Sequence, residues 1–334
     1  MLLAACSGGG SPSTGAGLPS AGMSQNAYRS DLAASGIAPK FLRELGRARP
    51  ASHRVQPSIQ NFLPRQVFVS DTGTGAVEQL KHSNWSLLGS ITSGLNGPDG
   101  NWVGKNPGDL YVANYAGPYV TEYDWATGNL NYTYSTGLAD PVDVTTDRAN
   151  NVYVADFNYT VPGGGFINEY AHQSNTVIAT CSPGGNVEGV AVDSRGDVFA
   201  SYNVTQANAA IIEYPHGLIA SGCNGTVLPI TLSTYAGGMA FDRNNNLVVC
   251  DQLTPAVDVI APPYTSVTGT LGSGYTVPFH VTIDMANNQA YVADYGAAVV
   301  QVLTYPGGAS VATLGSANGL TTPVSAVDSK NFAR

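Results

Sequence analysis

The sequence is poor in charge and in long apolar runs, and it lacks the common catalytic motifs. Charged residues make up 11% of its 334 residues, against roughly 25% in an average soluble domain. No apolar run approaches the roughly 18 residues of a membrane-spanning helix, which excludes such a span. The G-x-S-x-G turn of serine hydrolases, the H-E-x-x-H helix of zinc proteases and a phosphate-binding glycine loop are all absent. These absences exclude an assignment of function by any of those motifs.

Turn-forming and aromatic residues are abundant instead. The chain contains 39 Gly, 20 Pro and 18 Tyr, a composition that favours an all-β domain with many short strands. Residues 1–65 carry a formal charge of +5 and residues 66–334 carry −14. Because the main domain is acidic, we exclude nucleic acid as a partner. The basic segment is interpreted as a solvated linker, with contact to an anionic surface as the alternative.

The first residues resemble a bacterial lipobox. Leu3-Ala4-Ala5-Cys6 is followed by a tether rich in Gly, Ser and Pro. The resemblance implies lipidation at Cys6, export to the periplasm or outer envelope, and membrane contact only through that anchor. An upstream start would supply the apolar stretch that such a signal needs. We therefore divide the region into residues 1–23, signal remnant and tether, and residues 24–65, a basic linker with a short helix around Lys40–Arg47.

A short strand motif recurs six times along the rest of the chain. The copies end 43, 42, 46, 49 and 43 residues apart. They are QVFVSD (ending at Asp71), DLYVAN (Asn114), NVYVAD (Asp156), DVFASY (Tyr202), NLVVCD (Asp251) and QAYVAD (Asp294). Each copy is followed by two further strand-like segments, and a fourth precedes the next copy.

Four short strands per unit of about 43 residues are typical of a propeller blade. Residues 66–334 are therefore predicted to form a six-bladed β-propeller, and a monomer is expected. The first copy has no strand before it, whereas TTPVSAVDSKN at the end matches the missing segment. We predict that this last strand completes the first blade and leaves no open edge.

The repeat Pro-x-x-Val-x-x-Asp…Asn-x-Tyr-Val-Ala-Asp…Glu-Tyr resembles the NHL repeat and its six-bladed bacterial relatives. That superfamily includes binding scaffolds, lactonases and lyases, so the resemblance specifies a fold and not a function. Our main hypothesis is a binding scaffold at the cell envelope, with a protein or glycan ligand on one face. The alternative is a metal-dependent, lactonase-like hydrolase or a lyase, with its site at the mouth of the central channel.

The recurrent aspartates are interpreted as structural. Asp71, Asp156, Asp251 and Asp294 end strands in four copies, and a catalytic group has no reason to recur in most blades. We expect them to accept hydrogen bonds from backbone amides of the next turn. A second set has the same explanation in the hairpin turns: Asp147, Asp193, Asp242, Asp284 and Asp328.

The channel is where the repeats differ. Aligning the inner strands places six residues at one level: Asn101, Asp143, Gly189, Gly238, His280 and Ser325. One position earlier come Gly100, Val142, Glu188, Gly237, Phe279 and Val324. Asp143, Glu188, His280 and Asn101 are suitable ligands for a divalent ion, either calcium or zinc. His280 and Glu188 are alternatively candidate catalytic groups, with His280 as a general base. A channel lined by ordinary polar residues is the third interpretation.

Other residues carry weaker expectations. His82, His172 and His216 are expected to face solvent. Tyr115, Phe157, Tyr202 and Tyr295 either rim one face or pack between blades. Cys250 is expected to be buried and inert, and Cys181 and Cys223 are predicted to form a disulfide in an exported protein.

Overall fold

Residues 64–104, 108–205, 208–233 and 235–330 are described by a computed structural model. The predicted lipidation at Cys6, the tether and the helix around Lys40–Arg47 lie outside these residues. The described chain forms six four-stranded antiparallel sheets arranged in a ring. This arrangement confirms the six-bladed propeller.

Each blade consists of four consecutive strands from the channel outward, except that the first blade takes its inner strand from the end of the chain. The inner strands are β4 (Pro98–Val103), β8 (Pro141–Thr146), β12 (Asn186–Val192), β16 (Ala236–Phe241), β20 (Pro278–Ile283) and β24 (Pro323–Asp328). The second strands are β1 (Gln66–Asp71), β5 (Asp109–Asn114), β9 (Val152–Asp156), β13 (Val198–Thr205), β17 (Leu247–Asp251) and β21 (Gln289–Asp294).

The two outer positions of each blade follow in the same order. The third strands are β2 (Ala76–Lys81), β6 (Tyr119–Asp124), β10 (Phe166–Tyr170), β14 (Asn208–Tyr214), β18 (Ala256–Ile260) and β22 (Val299–Thr304). The outermost strands are β3 (Leu87–Ile91), β7 (Asn129–Tyr134), β11 (Val177–Cys181), β15 (Thr226–Val227), β19 (Gly269–Thr270) and β23 (Ser310–Leu314). We number the blades 1 to 6 by their second strands, so that blade 1 contains β24, β1, β2 and β3.

The ring closes through hydrogen bonds between its two most distant strands. β24 pairs antiparallel with β1, with Val67 opposite Asp328 and Ser70 opposite Ser325. Beside this pairing, the Arg65 guanidinium contacts the carboxylates of Asp284 and Asp328 at 2.7 Å each. The predicted completion of the first blade by the last strand is therefore confirmed.

The repeated aspartates bind backbone amides, as predicted. Asp71 Oδ1 accepts from the amides of Gly73 and Thr74 in the following turn, at 2.9 and 3.0 Å. The same carboxylate also accepts from Thr321 and Thr322, in the loop that leads into β24. Each such aspartate thus ties its own turn to the loop entering the inner strand of the blade. The hairpin set is equivalent, since Asp147 Oδ1 accepts from the Asn151 amide at 2.8 Å.

Apolar residues fill the spaces between neighbouring blades. Between blades 2 and 3, for example, Tyr111, Tyr134 and Tyr170 are fully buried together with Val144 and Val154. The aromatic rings there lie edge to face or tilted, as aromatic pairs prefer. Because each sheet packs against its neighbours, the buried apolar residues form six separate clusters around the ring.

Helix is a minor component of the described residues. A five-residue helix, α1 (Gly217–Ser221), lies between β14 and β15, and a 3₁₀ turn (Ser316–Asn318) precedes β24. None of the helices in this part of the chain has the length and apolarity required to cross a membrane.

Candidate functional site at the channel mouth

The inner strands contact one another around the channel, each touching the inner strands of both neighbouring blades. Every inner strand has a register irregularity near its first residues, in β8 between Pro141 and Asp143, for example. A bulge turns a side chain away from the regular alternation, and bulges are frequent beside active sites. Here six bulges at one level surround the end of the channel where the inner strands begin, which we call the mouth.

Two successive levels of side chains follow from this register. The mouth ring consists of Asp99, Val142, Glu188, Gly237, Phe279 and Val324. The second ring, one residue deeper, consists of Gly100, Asp143, Gly189, Gly238, His280 and Ser325.

The sequence alignment was wrong by one residue in β4. Pro98 pairs with Asn114 as Pro141 pairs with Asp156, so the residue two positions after Pro98 is the counterpart of Asp143. That residue is Gly100, and a Cβ placed on it would collide with Asp143 itself. The mouth ring therefore contains Asp99, which the alignment missed. Four of the inner strands begin with a proline, and counting residues from that proline would have identified Asp99.

The second ring is closed by a buried hydrogen-bond network. His280 Nε2 lies 3.0 Å from Asp143 Oδ1, in the blade on the opposite side of the ring. His280 Nδ1 lies 3.2 Å from Ser325 Oγ, which donates to Asn101 Oδ1 at 3.1 Å. Asp143 also accepts from the backbone amide of Val190 at 2.9 Å. These contacts join blades 1, 2, 3, 4 and 6 across the centre of the protein.

The direction of each hydrogen bond in this network is fixed from one end. Asn101 Nδ2 donates to the carbonyl oxygen of Phe68 at 3.2 Å, so Asn101 Oδ1 must face Ser325 and accept its proton. Ser325 Oγ then accepts from His280, and Nδ1 is protonated. The contact between His280 Nε2 and Asp143 Oδ1 holds one further proton, supplied by either the imidazole or the carboxyl group.

Glycine at position 238 makes room for the imidazole. A Cβ on Gly238 would overlap the His280 ring, so the ring lies directly over the backbone of blade 5. A side chain in this position would push the imidazole away from Asp143. The second ring is thus a packed plug in the channel.

In the mouth ring, fewer of the polar atoms have hydrogen-bond partners. Asp99 is 1% exposed, and within the described chain its Oδ2 has no hydrogen-bond partner. Glu188 is partly exposed and accepts from Asn203 Nδ2 at 2.8 Å. Asn203 Oδ1 in turn is buried and has no partner among the described residues. Tyr159 lies beside both carboxyl groups, because each of them contributes to raising the pKa of its phenol.

Burial raises the pKa of both mouth carboxyl groups. The pKa of Glu188 rises to about 8, and the hydrogen bond from Asn203 offsets only part of the effect of burial. The pKa of Asp99 is raised well above its ordinary value, first by burial and then by the charges of Asp143 and Glu188. No lysine or arginine of the described residues is among the groups that shift either pKa. Within the described part of the chain, the mouth therefore holds two carboxyl groups without a counter-ion.

The predicted site residues divide into two groups. Asp143, His280 and Asn101 come together in the buried network, where hydrogen bonds within the protein engage their polar atoms. Glu188 lies in the ring above, bound to Asn203. The ligand atoms of Asp143, Glu188 and His280 are not grouped within 4.8 Å, a criterion met in the described residues only by Asp109, Glu122 and His172. A metal ion at the predicted residues stays a prediction.

Several weaker expectations have clear outcomes. Tyr115, Phe157, Tyr202 and Tyr295 are all buried, so they pack between blades and do not form an exposed rim. His216 faces solvent with a side chain 78% exposed. The prediction was wrong for His82 and His172, whose side chains are 19% and 29% exposed because each lies against the preceding blade.

The cysteines are arranged as expected. Cys250 is fully buried in β17, and burial raises its pKa well above the ordinary value. Cys181 and Cys223 form a disulfide with their Cα atoms 5.2 Å apart, within the usual range. It connects the end of β11 in blade 3 to the segment after α1 in blade 4.

Comparisons with known proteins support the fold alone. No protein-family model and no curated protein sequence matches the chain. The chain is similar to a solved chain from a nidogen/laminin complex, with 15% identity, a TM-score of 0.64, and coverage of 80% of this chain and 99% of that one. A protein of unknown function from Bacteroides caccae is 10% identical, with a TM-score of 0.61 and coverage of 80% of this chain and 99% of that one. Virginiamycin B lyase from Staphylococcus aureus is 11% identical, with a TM-score of 0.53 and coverage of 75% of this chain and 80% of that one. The chain is a six-bladed β-propeller, and its structural neighbours include a component of a binding complex and a lyase.

Proposed function

We propose that this protein is an exported ligand-binding propeller of the NHL type, and that its channel mouth binds a positively charged group of the ligand. The observation that carries the proposal is the pair of carboxyl groups of Asp99 and Glu188, both with raised pKa and without a cationic partner among the described residues. A positive charge placed between them would favour the ionised forms and lower both pKa values. The missing counter-ion would thus come from the ligand.

The surrounding residues suit such a ligand. Phe279 is a partly exposed aromatic ring in the mouth ring, and aromatic faces attract cations. Asn203 offers a buried amide oxygen as a further acceptor. Beneath them the contact between Asp143 and His280 crosses the second ring. A primary amine of a protein or glycan and a divalent ion such as Ca²⁺ both have the chemistry that the mouth ring would recognise.

Export is supported by two features that are far apart in sequence. Leu3-Ala4-Ala5-Cys6 resembles a lipobox, and Cys181 and Cys223 form a disulfide. Disulfides persist in oxidising compartments and are rare in the bacterial cytosol. We infer that the protein acts in the cell envelope, anchored through Cys6, as a monomer.

Calorimetric titration with 1,5-diaminopentane and, separately, with CaCl₂ tests the proposal. Binding of at least one of the two should strengthen between pH 6 and pH 8.5, because the mouth carboxyl groups must lose their protons. Glu188→Gln and Asp99→Asn should each weaken binding at least tenfold, a loss of about 1.4 kcal/mol. Glu213→Gln is the matched control, since Glu213 is a carboxyl group with raised pKa outside the channel. Failure of both probes to bind, or equal weakening in the control, would overturn the proposal.

An enzymatic role is the second candidate, and one observation favours it. A carboxyl group with a pKa of about 8 can exchange protons near neutral pH, as general acid–base catalysis requires. However, Asp143, His280 and Ser325 are sealed in the second ring, which leaves Glu188 as the catalytic residue. Hydrolysis of dihydrocoumarin with an inflection near pH 8, lost in Glu188→Gln, would support a lactonase-like reaction. Absence of turnover in the wild type would remove that reaction from consideration.

A further inference from the structure

Three metal-ligating side chains meet between blades 2 and 3, at the end of the propeller opposite to the mouth. Asp109 begins β5, Glu122 lies in β6, and His172 follows β10 of the next blade. His172 Nε2 lies 3.3 Å from Glu122 Oε1 and 3.4 Å from Asp109 Oδ2. All three ligand atoms lie within 4.8 Å of one another.

These separations match a tetrahedral metal site. Zinc binds histidine nitrogen and carboxylate oxygen at about 2.0–2.2 Å, which places tetrahedral ligands about 3.3–3.6 Å apart. A simple hydrogen bond does not explain the cluster. His172 Nε2 is buried and has no hydrogen-bond partner among the described residues, although two carboxylate oxygens are close. The nitrogen is therefore directed at neither oxygen, as expected if it faces a point between them.

Neighbouring side chains hold the Glu122 carboxylate in place. Tyr134 donates to Oε2 at 2.8 Å, and Gln173 Nε2 donates to Oε1 at 2.9 Å. Glu122 is fully buried. Such outer contacts fix the orientation of metal ligands in known sites, and the two carboxylates, Glu122 buried and Asp109 half-buried, favour a cation.

We propose that Asp109, Glu122 and His172 bind one divalent transition-metal ion, Zn²⁺ by geometry, with water as the fourth ligand. The site does not depend on the function proposed for the mouth. Because two ligands belong to blade 2 and one to blade 3, the ion would connect the blades, and binding would stabilise the folded protein.

The junction of blades 6 and 1 provides an internal control. His82 occupies the position of His172 there, with Gln289 in place of Asp109 and Val302 in place of Glu122. His82 Nε2 forms a 2.6 Å hydrogen bond with Gln289 Oε1. An amide and a valine cannot complete a metal site, so this junction is satisfied by protein groups alone.

Competition between the chelator-treated full-length protein and a chromophoric zinc chelator tests the proposal. The wild type should bind one equivalent of Zn²⁺, and the ion should raise the midpoint of thermal unfolding. His172→Ala and the near-isosteric Glu122→Gln should each weaken binding at least 100-fold and abolish the thermal shift. His82→Ala and Glu188→Gln should bind as the wild type does, and Glu188→Gln separates this site from the mouth.

The visible spectrum of the Co²⁺-loaded protein provides a second readout. A tetrahedral site gives intense d–d bands, which should be present in the wild type and absent in His172→Ala. Failure of the wild type to bind Zn²⁺, or retention of the ion in His172→Ala, would overturn the proposal. Loss of binding in His82→Ala alone would also overturn it, because the ion would then lie at the other junction.

Discussion

The mouth ring and the second ring lie one residue apart on the same six strands, yet their polar groups are satisfied to different degrees. In the second ring, Asp143, His280 and Ser325 bond to one another and to the backbone, with His280 only 5% exposed. In the mouth ring, Asp99 and Glu188 carry carboxyl groups whose pKa values are raised by burial. Since an unsatisfied buried polar group is costly, the comparison assigns a structural role to the deeper ring and supports the proposal that the outer ring binds ligand.

The largest expected effect comes from breaking the Asp143–His280 contact. Asp143→Ala leaves the imidazole buried without its acceptor, and His280→Ala leaves the carboxylate without its donor. Removal of one partner of a buried pair typically costs about 3–5 kcal/mol of unfolding free energy, which urea denaturation measures. Glu188→Gln should change stability far less at pH 6. A loss below about 1 kcal/mol in both alanine variants would contradict the assignment of the second ring to stability.

Filling the space under the imidazole should have the next largest effect. Gly238→Ala puts a methyl group where the His280 ring lies, and forced overpacking typically costs about 1–3 kcal/mol. Gly269→Ala is the control, because no atom beyond its chain neighbours lies within 4 Å of the added Cβ. Equal denaturation midpoints for the two variants would show that the plug tolerates displacement of its imidazole.

The pH dependence of the unfolding free energy also distinguishes the two rings, with a smaller expected effect than the substitutions above. The pKa of Glu188 is about 8 in the folded protein and 4.5 for an ordinary glutamate, so the folded state keeps a proton that the unfolded state releases. Its contribution is fully favourable below pH 4.5 and is lost as pH rises towards 8, by at most about 1.4 kcal/mol per pH unit. Glu188→Gln should remove this slope from the unfolding free energy. An unchanged slope in Glu188→Gln would mean that the group which keeps its proton on folding is not Glu188.

Asp99→Asn should have the smallest effect on stability. Burial raises the pKa of Asp99 well above its ordinary value of 3.8, so below pH 3.8 this carboxyl group is neutral in the folded and the unfolded protein, and an amide of similar shape replaces one neutral group with another. We expect the unfolding free energy to change by less than about 1 kcal/mol. A larger loss in chemical denaturation would mean that Asp99 belongs to the structural network, and the distinction between the rings would fail.

The repeats predicted the fold because each blade carries its own local signals. The strand copies, the aspartates that end them and the last strand that completes the first blade were all readable from residues within one unit or from its missing member. The boundaries of short outer strands were harder, since β15 and β19 are two residues long. Local turn chemistry and alternation thus suffice for a propeller.

The site was predicted only in part, and the physical reasons differ between residues. Asp143 and His280 were found because both lie two positions after the proline that opens their strand. Asp99 was missed because the alignment set Asn101, three positions after Pro98, level with residues that lie two positions after their proline, although β4 and β8 have the same one-residue bulge. His172 was assigned to solvent because its partners, Asp109 and Glu122, belong to another blade. The sequence pattern within one repeat does not indicate which of its loops packs against the neighbouring blade.

The pairing of β24 with β1 has a consequence for the order in which the protein is made. The amide of Gln66 binds the hydroxyl of Ser329, 263 positions further along the chain. Until that segment has been synthesised, β1 presents an open strand edge to other chains, which is a recognised route to aggregation. Blades 2 to 6 consist of consecutive strands, whereas blade 1 lacks its inner strand until β24, the last strand of the described chain, has been synthesised. The blade that comes first in sequence is therefore the last to be completed.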